Sequence, residues 1–247
     1  MDRRGFLKWF GAVSAATALP KAGWTQKRRV SPSLRVAFLS DVHLPANGRN
    51  ADFQRVLNLV QDKYRVGLVL FGGDNVFAAD GVPESSAEEQ FRNWNSVLKS
   101  TLRVPHASVF GNHDIYGWTL HRPDGPRVGK PLAVRSFGMP DRYYSFDRAG
   151  WRFLMLDTVH RQGPVYRGEL DAEQLAWIER TLKASPAPTV VVGHIPLLSA
   201  TALAGTMVPQ ERTHYRVPHS LLVGNARQAL SLFAQDGKVK LCLSGHM

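Results

Sequence analysis

The 247-residue chain has a single cysteine, Cys242. A disulfide framework is therefore excluded, and so is a thiolate zinc site, which needs several cysteines. Cys242 lies inside the apolar run Leu241-Cys242-Leu243, so a buried, inert thiol is expected. Acidic residues are also in short supply: 20 Asp and Glu stand against 31 Lys and Arg, a formal charge of +11. That excess favours anionic partners. The basic residues are scattered, however, and Lys27-Arg28-Arg29 is the one tight cluster. Without a basic stripe and aromatic platforms, no stable nucleic-acid partner is expected. No apolar stretch is long enough to span a membrane, so no membrane partner is expected either. Internal repeats and low-complexity tracts are lacking. What remains is an ordinary globular composition, 44% apolar and 21% charged, in a chain long enough for one domain with a large core.

The N-terminus stands apart. Asp2-Arg3-Arg4-Gly5-Phe6-Leu7-Lys8 opens a charged region, an apolar stretch runs to Leu19, and Ala16-Thr17-Ala18 offers a small-residue cleavage site. This is signal-peptide anatomy, and Arg3-Arg4-x-Phe6-Leu7-Lys8 resembles the twin-arginine export signal. The twin-arginine export machinery is the implied partner and the periplasm, or another extracytoplasmic space, the implied location. Cleavage after Ala18 would lower the charge from +11 to +9, because Arg3, Arg4 and Lys8 leave with Asp2. Residues 1–33 read as signal and linker, with Pro20, Gly23 and Pro32 marking the linker, and 34–247 as the domain.

Along that domain, apolar runs and amphipathic stretches alternate. Strands are expected at Leu34–Leu39, Gly67–Phe71, His106–Phe110, Thr189–Val192 and Val239–Leu243, and a hairpin at Tyr143–Phe146 with Trp151–Leu156. The spacing of Phe53, Val56, Leu57 and Val60 predicts a helix over Asn50–Tyr64. Ser86 and Glu89 form a capping box before a second helix, and Asp171 caps a third. Asn225–Ala234 is a further helix. Ile115–Asp141 and Pro196–Ser220 read as long irregular segments that line a site. The order is α/β, then a hairpin, then α/β again.

The chemistry sits at the strand exits. Asp41-Val42-His43, Gly72-Gly73-Asp74-Asn75, Gly111-Asn112-His113-Asp114, Gly193-His194 and Gly245-His246 each follow an apolar run. Five polar outcrops at the ends of five strands point to one site on one sheet edge. Carboxylate, imidazole and amide oxygen suit Mn, Fe or Zn rather than a soft-ligand metal. Two metals about 3.5–4 Å apart would clamp a phosphoryl group and acidify a shared water, and an imidazole nearby would help the leaving oxygen depart. A single histidine after an apolar run is more often structural. His106, His121, His160, His214 and His219 take that reading, although His121, His214 and His219 lie in the two long segments and could meet substrate. Trp94, Trp151 and Trp177 read as core.

Taken together, Asp41-x-His43, Gly73-Asp74, Gly111-Asn112-His113-Asp114, Gly193-His194 and Gly245-His246 resemble, in content and order, the calcineurin-like metallophosphoesterases. Tyr143-Tyr144-Ser145-Phe146 with Leu156-Asp157-Thr158 resembles that family's middle hairpin. The resemblance implies a four-layer α/β/β/α sandwich and a binuclear centre of divalent or trivalent ions. By position it implies Asp41, His43 and bridging Asp74 on the first metal, and Asp74, Asn112, His194 and His246 on the second. His113 would assist the leaving group, oriented by Asp114, and a two-metal-bridged hydroxide would hydrolyse phosphomonoesters or phosphodiesters. The family motif is Gly-His-x-His, whereas Gly245-His246-Met247 ends this chain. A C-terminally truncated domain, holding nearer one metal than two and weakly active, is the corresponding expectation. The alternatives are a phosphodiesterase for a cyclic nucleotide or phospholipid head group and, in another class, a non-catalytic relative that uses the fold to bind.

Overall fold

The computed structural model describes residues 33–120, 128–163, 165–201 and 217–246. The expected signal with nearly all of its linker, His121, His214 and Met247 lie outside the described residues.

Three short apolar runs form a parallel sheet. β1 (Val36–Leu39), β2 (Leu68–Gly72) and β3 (His106–Val109) lie in that order. A second sheet contains β4 (Tyr144–Arg148), β5 (Trp151–Met155), β8 (Thr189–Val192) and β9 (Val239–Leu243). β4 and β5 are the expected antiparallel hairpin, with Phe146 opposite Phe153, and β5, β8 and β9 run parallel. Strand alternation explains how the sheets stack. Leu68, Leu70 and Val109 face Phe153, Met155, Val190 and Val192 in one cluster between the sheets. Val69 and Phe71 point the other way, toward α1 (Asn50–Asn58) and α2 (Glu84–Thr101), where Phe71 meets Phe53 at 6.2 Å and Trp94 at 4.9 Å. Leu154 and Val191 likewise join Ile178 and Leu182 of α4 (Ala172–Lys183) and Ala229 and Phe233 of α5 (Ala226–Asp236). Helix, sheet, sheet, helix is the expected four-layer sandwich. Each fully buried side chain of this size contributes about 1.5–3 kcal/mol.

Several local expectations are corrected. The first helix is α-helical only to Asn58, and Leu59–Lys63 widens into a π turn. That turn carries buried Gln61, which donates to Leu57 O and Thr101 O and accepts from Arg103 N. α2 starts at Glu84 after Pro83 with no side-chain cap, so the Ser86–Glu89 box is not used. The segment Ile115–Asp141 contains α3 (Lys130–Ser136), and Lys130 and Arg142 both pair with the buried carboxylate of Asp157. A small hairpin, β6 (Val159–Gln162) with β7 (Val165–Gly168), has too few alternating apolar residues to announce itself. Cys242 is exposed rather than buried, because β9 is the edge strand of its sheet, and Trp151 is 37% exposed. Asp171 does cap α4, accepting from Gln174 N at 2.8 Å.

The outcrops do not share one sheet edge as expected: three follow β1, β2 and β3 of the first sheet and two follow β8 and β9 of the second, and the carboxyl ends of these parallel strands meet where His194 Nδ1 reaches Gly72 O. In open α/β sheets the carboxyl ends of the strands are where ligands bind.

Candidate metal centre

The backbone is bent hard to bring the outcrops together. Asp41 (φ 56°), His43 (φ 48°), Asp74 (φ 49°) and His246 (φ 68°) are all left-handed. Each such residue costs on the order of 1–3 kcal/mol, and such strain gathers at functional sites. Hydrogen bonds between the two loops hold the conformation: Asp41 N donates to Gly73 O, His43 N to Asp74 O and Leu44 N to Asn75 O, all at 2.9 Å. Gly111 permits a close approach to Asp74. A Cβ there would collide with Asp74 Oδ1 and Asp74 N and lie 2.7 Å from His194 Nε2.

Asp74 is the centre of the arrangement. Its Oδ2 lies 3.3 Å from His194 Nε2 and 3.8 Å from His43 Nε2, and its Oδ1 accepts from His113 N at 2.9 Å. Ligand atoms of His43, Asp74 and His113 fall within 4.8 Å of one another, and so do those of Asp74, His194 and His246. Carbonyl groups set the histidine tautomers. His194 Nδ1 donates to Gly72 O at 2.9 Å, and His246 Nε2 donates to Ser220 O at 2.8 Å. The opposite nitrogens, His194 Nε2 and His246 Nδ1, then face each other at 3.0 Å. Two lone pairs and a carboxylate oxygen converge, which calls for a cation between them. Buried Asn112 adds an Oδ1 with no hydrogen-bond partner among the described residues. This donor set fits Mn, Fe or Zn.

Asp41 is placed differently. Its carboxylate accepts from Ser40 Oγ at 2.6 Å and from His246 N at 3.1 Å, which ties the β1 loop to the β9 exit. Asp114 is fully buried, and it accepts from Gly111 N at 2.8 Å, Val76 N at 2.9 Å and Asn75 N at 3.0 Å. It thus clamps backbone rather than the His113 ring. The carboxylate beside that ring is Asp80, whose Oδ1 is 3.4 Å from His113 Nδ1.

The electrostatics follow this geometry. Burial alone would push the Asp74 carboxyl up, but the hydrogen bond and charge of His194, with help from His113, hold it below its ordinary value. Burial likewise opposes the charge on His194, and Asp74 overcomes it and raises that imidazole. Asp80 raises His113 against its own burial. Burial, then the charge of Asp74, push Asp114 up against the pull of its backbone donors.

Three neighbours were not among the candidate site residues, although Thr158 lies in the Leu156-Asp157-Thr158 run. Asp80 lies on a loop without pattern. Thr158 Oγ1 accepts from His194 N at 3.1 Å and Ile195 N at 2.8 Å, so it fixes the turn carrying His194. Tyr166, on the unforeseen β6–β7 hairpin, meets the His246 ring edge to face at 5.7 Å. His106 and His219 are exposed and His160 is half-buried, none of them in either ligand cluster. No helix among the described residues is long and apolar enough to cross a membrane.

The twin-arginine translocation signal family matches residues 1–20, so the chain is exported by that route to an extracytoplasmic location. A probable cyclic nucleotide phosphodiesterase of Synechococcus is 27% identical over 181 residues, 72% of this chain and 56% of that protein. A 3',5'-cyclic-nucleotide phosphodiesterase of Nostoc is 27% identical over 224 residues, 87% of this chain and 71% of that protein. The chain thus spans little more than half the length of the Synechococcus relative. Among solved structures, the GAP50 anchor of the Plasmodium inner membrane complex has the same fold, with a TM-score of 0.50 and 18% identity over 86% of this chain and 65% of that one. The calcineurin-like phosphoesterase family model matches residues 34–247, the whole stretch that bears the five strand-exit outcrops, and the chain belongs to that family.

Proposed function

We propose that this protein is an exported, metal-dependent phosphoesterase that hydrolyses P–O bonds, with phosphodiesters as the preferred class. One observation carries the reading: Asp74 is shared by two separate clusters of converging ligand atoms. That is the position of a carboxylate serving two ions. In this reading Asp41, His43 and Asp74 hold one metal, and Asp74, Asn112, His194 and His246 hold the other. Ions so held supply Lewis acidity toward a phosphoryl oxygen and acidify water toward neutral pH. The catalytic domain is 34–247, behind a signal and linker at 1–33.

The chain's own residues divide the remaining work. Asp74 orients both clusters. Thr158 and Gly72 hold His194 in place. His113 passes a proton to the leaving oxygen from Nε2, because Asp80 faces its Nδ1. Asp114 stiffens the loop that presents Asn112 and His113. The diester preference is supported by the relatives, both named as cyclic nucleotide phosphodiesterases.

A second assignment of His113 is favoured by its place in the cluster with His43 and Asp74. There it would be a ligand rather than a proton donor, and metal content of His113→Ala separates the two.

The test of the function is hydrolysis of bis-p-nitrophenyl phosphate against p-nitrophenyl phosphate with added Mn²⁺ and an EDTA control. Metal-dependent turnover, faster on the diester, is expected. Metal-loaded protein that hydrolyses neither would overturn the reading in favour of the non-catalytic binding relative.

A further inference from the structure

The β6–β7 hairpin is fastened to the same frame as His246. Its base is locked: Gly168 N donates to His219 O at 2.6 Å, Gly224 N donates to Gly168 O at 2.9 Å, and Leu170 N donates to Asn225 Oδ1 at 3.0 Å. Gly168 leaves no slack, since a Cβ would lie 2.7 Å from Leu222 O and 2.8 Å from Ile195 Cγ2. The segment that grips the hairpin also supplies Ser220 O, the acceptor for His246 Nε2. Tyr166 and His246 are therefore held against each other by one rigid piece of structure, which accounts for their edge-to-face contact. Tyr166 is half-buried, and the charges of both Asp74 and Asp80 reach its phenol. Its hydroxyl makes no hydrogen bond among the described residues and is not one of the buried unpartnered atoms, so it is a donor left open beside the site. The rigid mount, the closeness to the site and the unused donor share one explanation, which is that the partner is a ligand.

We propose that Tyr166 contacts substrate, its phenol donating a hydrogen bond to a nonbridging phosphoryl oxygen of an ester seated beside Asp74, His194 and His246. The inference rests on the phosphoesterase reading of that site. A phenol is an uncharged donor at neutral pH. It matches the single charge of a phosphodiester, whereas the second charge of a monoester calls for a cation.

The experiment compares the wild-type protein with Tyr166→Phe, which keeps the ring and removes the donor. Bound metal and thermal midpoint are expected to match wild type, which a structural role for the hydroxyl would not allow. The kcat/KM for bis-p-nitrophenyl phosphate is expected to fall about 10-fold or more, as for a lost hydrogen bond to a charged group. The loss for p-nitrophenyl phosphate is expected to be smaller. A second arm needs no turnover: calorimetric binding of dimethyl phosphate, a singly charged phosphodiester, to the metal-loaded protein is expected to weaken about 10-fold in Tyr166→Phe. Wild type that hydrolyses neither ester refutes the phosphoesterase reading, and the dimethyl phosphate arm still tests Tyr166. Wild-type kcat/KM together with wild-type dimethyl phosphate affinity in Tyr166→Phe would overturn the assignment, and so would a loss of metal that accounts for the whole effect.

Discussion

Gly111→Ala adds one methyl group where the site has no room for it. Gly111 has φ −104° and ψ −172°, extended backbone that alanine adopts freely, so conformational strain does not enter. Only space objects. The new Cβ would collide with Asp74 Oδ1 and with Asp74 N, and lie 2.7 Å from His194 Nε2. Because Asp74 N belongs to the main chain, no side-chain rotation relieves the clash. Overpacking of this kind costs about 1–3 kcal/mol, and for a domain of this size each kcal/mol lowers the midpoint by about 2–4 °C. The sharper effect falls on the ligands. Pushing Asp74 aside breaks the His113 N to Asp74 Oδ1 bond and separates Oδ2 from His194 Nε2. Disturbing the support of a ligand alone costs about 10–100-fold in metal affinity, so displacing the shared ligand should cost at least that. The assay is metal affinity by competitive chelation together with thermal unfolding. The control is Gly67→Ala, whose Cβ meets only the flexible tip of Leu34 at 3.2 Å and which is expected to bind metal normally. Wild-type metal affinity in Gly111→Ala would refute the reasoning, since Asp74 would then be free to move without consequence.

Thr158→Val removes the acceptor of two buried N–H groups, at about 1–3 kcal/mol each. A lower midpoint and weaker metal binding are expected, with Thr158→Ser restoring both, and a valine variant equal to wild type would contradict this. His113→Ala is expected to keep metal near the wild-type level and lose about 10²-fold in turnover, and Asp80→Asn to lose turnover in the same direction but less. Loss of metal from His113→Ala would move that residue into the ligand set instead. Replacing Arg3 and Arg4 by Lys is expected to hold the protein in the cytoplasm, as cell fractionation would read, and unchanged export would contradict the twin-arginine signal.

β2 and β8 were legible in the sequence because strands buried on both faces are nearly continuous apolar runs, as Val190-Val191-Val192 is. The candidate site was legible because Asp74, Asn112, His194 and His246 are polar residues set just past such runs, two or three positions on and each directly after a glycine, where a core has no use for them. What stayed hidden depends on contacts across the chain. Asp114 looks like a partner for His113 by adjacency, yet its carboxylate is turned toward the backbone of Gly111, Asn75 and Val76. Asp80 reaches His113 from 33 positions away with no motif to flag it. Gln61 reshapes a helix because its amide is spent on Thr101 and Arg103, a tertiary demand that local periodicity does not encode. The β6–β7 hairpin is four residues a side with Arg, His and Gln on it, which reads as loop until Gly168 is seen wedged against Leu222 and Ile195. Cys242 looks buried by its neighbours, but only the sheet order reveals that its strand is an edge.

The central claim is that one carboxylate, Asp74, serves both clusters of ligands. Metal content after dialysis, measured by plasma mass spectrometry on wild type, Asp74→Asn and Asn112→Ala, tests it most directly. Asp74→Asn is expected to lose nearly all bound metal while Asn112→Ala, touching one cluster, loses only part. Asp74→Asn that retains the wild-type metal content, or that loses no more than Asn112→Ala, would contradict a shared ligand.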